Sequence, residues 1–315
     1  MAGDQRPRVV AVGGGHGLSR ALAALRHLDV DATAVVTVAD DGGSSGRLRR
    51  DLGVIPPGDL RMALLALARR RDLADLFGHR FSRGELAGHA LGNLALVALA
   101  EQTGGDFVAA LDRAAAMLDC CGRVLPATLA PVQLKARVSG AQVEGQRRVT
   151  RSGGRVERVW LEPGDPPVCE EAAAAVRAAD AIVLGPGSLY TSVIAALLVP
   201  GLAAAIAAAS APVVYIGNLR TQPGETTGLN ADGHVAALRA HVPGLRLDVA
   251  VIHRGPVASQ GPGEPLGELD DTAVGRVVAA DIAARDPDGS VSDGHDPERL
   301  AAVLGAVLDD AVAAP

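Results

Sequence analysis

The chain has 315 residues, 48% of them hydrophobic and only 2% aromatic, so it can bury a substantial core built from small aliphatic side chains. Its formal charge of -6 argues against nucleic acid or an anionic membrane as a partner, since both need clustered positive charge. Lys135 is the single lysine, which leaves a lysine-dependent phosphate loop or a Schiff-base reaction no other candidate, and Cys120, Cys121 and Cys169 offer neither CxxC spacing nor an even count. Met1 to Arg8 carries no signal pattern, and no uninterrupted apolar stretch reaches about 18 residues. A cytoplasmic protein without membrane insertion is expected.

In chain order, Arg8 to Val12 reads as a buried strand, Gly13 to Gly17 as a tight turn, and Leu18 to His27 as a helix, together a βα unit. Asp31 to Val38 is a second strand. Ala39 to Gly46 is too rich in glycine and serine to be helix or strand and reads as a loop. After Ile55-Pro56-Pro57-Gly58, Asp59 is placed to cap a helix running through Arg61 to Arg71, and Gly88 to Ala100 and Asp106 to Leu118 are further helices.

From Val124 to Trp160, short alternating stretches, Val132 to Val138, Gln142 to Val149 and Arg155 to Trp160, with glycines between them, read as an antiparallel excursion. The α/β rhythm then resumes with a helix from Val168 to Ala178 and a strand from Ala181 to Leu184. The apolar run Ser192 to Ala211, broken at Pro200-Gly201, reads as two buried helical pieces. A strand Pro212 to Ile216, a helix Gly233 to His241 and a strand Arg246 to His253 follow. After the polar stretch Gly255 to Glu268 come a short strand near Gly275 to Ala279 and a last helix, Pro297 to Val312.

The turn Gly13-Gly14-Gly15-His16-Gly17-Leu18-Ser19 leaves a strand and opens a helix, where free backbone N–H groups and the helix dipole make an anion site. It fails the dinucleotide pattern, because Leu18 stands where a third glycine is needed, and it fails the Walker pattern. Gly185-Pro186-Gly187-Ser188, followed by Thr191 and Ser192, is a second such turn and does not form a serine elbow. Asp40 and Asp41, followed by Ser44, Ser45 and Arg47, fall after the second strand. Two carboxylates with Asp59 nearby suit magnesium bridging diphosphate oxygens, with Arg47 and Arg61 neutralising phosphate. Asn218, Thr221, Gln222 and Glu225 share one loop that can read a base or a sugar, and His89 and Asn93 can join the same cleft. His234 and His241, seven apart on one helix, read as surface residues.

These blocks, in order from about Val9 to about His241, resemble the gluconeogenesis factor (YvcK) proteins, a CofD-like family. The resemblance implies a single domain over 1–315 with a Rossmann-like three-layer α/β fold and a mostly parallel sheet. Its antiparallel insertion falls at about 124–160 and its C-terminal segment at about 255–315. It also implies a nucleotide-binding site formed by the residues above, Leu18 and Asn218 included, with Asp41 and Asp59 matching the metal-site acids of the magnesium-dependent phospholactate transferase branch. The gluconeogenesis-factor branch implies binding of UDP-N-acetylglucosamine (UDP-GlcNAc), a role linking carbon use to cell-wall precursor supply and cell shape, and a homodimer. The sequence departs from the family pattern at Ala195-Ala196, where Pro-Asn is usual, and at Gly217 and Arg220, where Cys and Met are commoner.

Overall fold

The computed structural model describes residues 6–258 and 261–313. Twelve strands are formed among them: β1 Arg8–Gly13, β2 Asp31–Val36, β3 Gly122–Pro126, β4 Gln133–Val138, β5 Ala141–Glu144, β6 Val156–Glu162, β7 Ala181–Leu184, β8 Val213–Ile216, β9 Val249–His253, β10 Arg276–Ala280, β11 Ala283–Arg285 and β12 Val291–His295. Seven of them make one sheet in the order β10-β9-β8-β7-β1-β2-β3, and every pairing in it is parallel. Helices cover both faces, so β7 and β8 are buried along their whole length and appear in sequence as runs without a charged residue, Ala-Ile-Val-Leu and Val-Val-Tyr-Ile. This is the expected Rossmann-like three-layer α/β architecture.

Helix α1 (Gly15–Leu25) buries Leu18, Ala21, Leu22 and Leu25, a three-to-four spacing that holds one stripe against the sheet. The apolar run from 192 to 211 folds as two helical pieces bent 75° to one another: Leu189–Leu197 is buried throughout, while Pro200–Ala208 buries only Leu202, Ala205 and Ile206. Among the described residues no single helix is long and apolar enough to cross a membrane.

Five expectations are corrected. The Ala39 to Gly46 segment is not all loop: helix α2 spans Gly43–Leu52 and buries Ser44, Ser45, Gly46 and Leu48. Its small residues serve close packing, since a Cβ on Gly46 would sit 2.1 Å from the Asp41 carbonyl oxygen. Helix α3 spans Gly58–Leu67, so Asp59 lies inside its first turn and makes no capping hydrogen bond.

The antiparallel excursion is the three-stranded sheet β5-β4-β6, beginning at Gln133 rather than 124; β3 joins the edge of the main sheet beside β2. Alternation alone does not tell a strand which partner it has. The stretch read as strand from Gln142 to Val149 turns at Gly145 (φ 91°) into a short helix, Gln146–Arg151. Finally, His234 is fully buried and its ring bonds the Tyr215 hydroxyl at 3.0 Å, while His241 Nε2 accepts the Val159 N–H. The hairpin β11–β12 had no sequence signal; it packs near α1, and the last helix, Pro297–Ala313, packs along α1 itself.

Candidate functional site

Strand β1 has β2 on one side and β7 on the other, and the chain leaves β1 and β7 in opposite directions across the sheet. The carboxyl ends of these two strands therefore flank a crevice, the place where open α/β sheets hold ligands. Both glycine turns lie there and touch. A Cβ on Gly17 would stand 2.4 Å from Gly187 Cα and 2.4 Å from the Pro186 carbonyl oxygen, and one on Gly14 would stand 2.7 Å from both Asp59 Oδ2 and the Thr37 methyl. Gly15 differs: its φ of +62° demands glycine, and the space beside it is open.

The crevice is a cleft of about 550 Å³. Of the residues expected from sequence, Gly14, Gly15, His16, Gly17, Asp59, Pro186, Gly187, Ser188, Asn218, Thr221 and Gln222 line it. Leu18 is buried in the core behind the turn, and Gly185 faces Ile216 and Val193. Asn218 clasps the second turn, accepting the Gly187 N–H at 3.1 Å and donating to the Gly187 carbonyl at 2.8 Å. Gln222 donates to Ser188 Oγ at 3.2 Å.

The helix opening after that second turn is already filled. Glu225, 3% exposed, accepts the backbone N–H of Tyr190 at 2.8 Å and of Thr191 at 2.9 Å, and the Thr191 hydroxyl as well. Burial pushes its carboxyl up, and these donors pull it down. Glu225 and Thr191 thus bond one another instead of facing the cleft.

Asp40, Ser44, Ser45, Arg47, Arg61, His89 and Asn93 do not line the cleft; they build a polar network adjoining it at Asp59. Arg47 Nε donates to His89 Nε2 at 2.9 Å, so this nitrogen is the acceptor and the Nδ1–H is left to donate to Ser44 Oγ at 3.0 Å. Asn93 donates to the same Ser44 oxygen and accepts from Arg61 Nε. Burial and the charge of Arg47 push His89 down, which suits the neutral ring this pattern needs. Ser45 Oγ accepts the Gly58 N–H, and Asp40 accepts that of Gly42. Asp41 bonds the Arg147 N–H at 3.1 Å, at the start of the Gln146–Arg151 helix.

Asp59 carries the strongest electrostatic signal. Its Oδ2 is sealed from solvent without a hydrogen-bond partner, and burial followed by the charge of Asp40 raises its pKa to about 7, against the pull of the Gly15 N–H and Arg61. Asp40 is raised too, chiefly by burial. The unfolded-state value for Asp59 is 3.8, so the folded protein binds more protons between there and about 7 and loses stability as pH rises through that window. Asp59→Asn is expected to flatten the pH dependence of the melting temperature between about 4 and 7 and to stabilise the free protein at pH 8. An unchanged profile would remove Asp59 as its source.

Five buried side-chain atoms among the described residues lack a partner, and four belong to residues lining this cleft: Asp59 Oδ2, Gln146 Oε1, Gln222 Oε1 and Arg220 Nε. Sequence reasoning passed over several lining residues. Gln146 comes from a segment read as strand, Arg20 and Met62 from helix faces read as structural, and Asp293, Gly294 and His295 from the unread hairpin. Among the described residues no three His, Cys, Asp or Glu side chains are arranged to enclose a metal ion.

The family model described as 2-phospho-L-lactate transferase CofD matches residues 9–267. A relative in Mycobacterium tuberculosis is 46% identical over 95% of this chain and 90% of its own. The gluconeogenesis factor of Bacillus subtilis is 47% identical over 76% of each chain. A crystal structure of a Bacillus halodurans protein superposes with a TM-score of 0.88 at 38% identity, covering 96% of this chain and 99% of that one. Fold, motif blocks and relatives agree: the chain belongs to the CofD-like gluconeogenesis factor (YvcK) family.

Proposed function

We propose that the cleft binds a nucleotide-sugar, with UDP-GlcNAc the leading candidate, and that the protein acts as a cytoplasmic sensor, in homodimeric form, linking carbon use to cell-wall precursor supply and cell shape. The observation that carries this reading is the meeting of two glycine turns at the switch point of the sheet, in a cleft whose walls hold unpaired acceptors. Backbone N–H groups of the first turn suit a diphosphate, and the lone oxygens of Gln146 and Gln222 suit hydroxyl or amide donors of a base or sugar. The name of the Bacillus subtilis relative supports the link to carbon use.

Magnesium fits Asp59, whose buried Oδ2 has no hydrogen-bond partner. One or two carboxylates plus phosphate oxygens and water are the ordinary surroundings of this ion. Asp40, coupled to Asp59 by charge, is the nearer second acid, because Asp41 is engaged at Arg147. When bound, the ion would neutralise diphosphate charge.

A second reading, a transferase acting on a nucleotide diphosphate-linked donor, is favoured by one feature: a carboxyl raised to about 7 can take or give a proton at neutral pH. Calorimetry with UDP-GlcNAc, UDP, GDP and NAD, with and without magnesium, separates the two. Saturable sugar-nucleotide binding without product on long incubation is the expected result. Magnesium-dependent release of free nucleotide would favour the transferase, and failure to bind any of the four would sink both.

A further inference from the structure

Arg20 lines the cleft from α1, four residues beyond His16, so the two share one helical face. Among the described residues it has no hydrogen bond or ion pair. The other arginine of the cleft is largely committed: the terminal nitrogens of Arg220 donate to the Gly263 and Ala258 carbonyls, and its Nε, short of a hydrogen bond, faces Asp293 at 3.4 Å. Opposite Arg20 stands β12, where a Cβ on Gly294 would lie 3.6 Å from Arg20 Nη2, so the guanidinium rests against bare backbone. Burial, and after it the charges of His253 and Arg20, hold His295 at about 4 against the pull of the Gly217 carbonyl, leaving that neighbour neutral at physiological pH.

We propose that Arg20 is an oxyanion receptor of the cleft, giving its planar donor fork to a phosphate of the ligand from the wall made by α1 and β12. This rests on the nucleotide-diphosphate reading above and adds a residue to it. A guanidinium held against a glycine, with its donors unclaimed and a neutral histidine beside it, matches the bidentate geometry phosphate oxygens accept.

The experiment titrates UDP-GlcNAc and inorganic pyrophosphate into the wild type, Arg20→Ala and Gly294→Asp, at low and high salt. Arg20 is exposed, so its removal leaves the core intact. An aspartate at 294 would bring a carboxylate onto the guanidinium and mask it. Both variants are expected to weaken both probes at least tenfold, and Arg20→Ala to lose part of the salt dependence. Wild-type affinity of Arg20→Ala for both probes overturns the assignment, as does weakening of the sugar nucleotide with pyrophosphate unchanged. If the wild type binds neither probe, the nucleotide reading has failed and the assignment goes with it.

Discussion

Gly17→Ala is expected to cost at least ~3 kcal/mol of folding stability and to abolish binding in whatever fraction still folds, the upper end of what overpacking a tight interior does. The added methyl would meet Gly187 Cα and the Pro186 carbonyl oxygen at 2.4 Å and the Gly187 nitrogen at 2.6 Å, all backbone, so no side chain can swing away. The two turns would have to separate, and their separation is the geometry of the cleft. Gly15→Ala is the control: space is open there and only its φ of +62° is penalised, at about 1–2 kcal/mol. Urea unfolding of the two variants, followed by calorimetry with UDP-GlcNAc, reads both effects. A Gly17→Ala protein as stable as Gly15→Ala would show that the turns are not locked together.

The second large effect is expected at Glu225. Truncation to alanine leaves two buried backbone N–H groups without an acceptor, a loss of about 3 kcal/mol or more in total. Glu225→Gln keeps one oxygen for those donors and should cost about 1 kcal/mol, the worth of an ordinary hydrogen bond. Thermal melts of the pair resolve the difference. Equal losses would mean that the carboxylate's charge, rather than its acceptor oxygens, holds the helix opening.

Glu225 also shows where sequence reading reaches its limit. A strand, a Gly-Pro-Gly turn and a helix start were all legible at 181–192, and each formed as expected. What no local pattern revealed is that a carboxylate 34 residues downstream from Thr191 takes the N–H groups an outside anion would otherwise meet. The same holds for Gly14 and Gly17. Four glycines in five positions suggested one purpose, phosphate approach, yet two of them are explained by neighbouring backbone and side chains alone.

The sheet was legible because parallel strands buried on both faces announce themselves as apolar runs, and the cleft followed from where those runs end. The α2 helix was not, because Gly43 to Gly46 are poor helix formers held in place by packing. Gln146, Asp293 and His295 reach the cleft through topology, which single residues do not encode.

The hairpin that supplies Asp293, Gly294 and His295 has a consequence for the timing of assembly. The strands that create the switch point, β1 and β7, both precede the hairpin in the chain, so they are synthesised before the wall opposite Arg20. The helix that packs along α1 follows it. A nascent chain that has formed β1 and β7 therefore still presents a half-built cleft and a bare flank of α1, and ligand capture must await the hairpin.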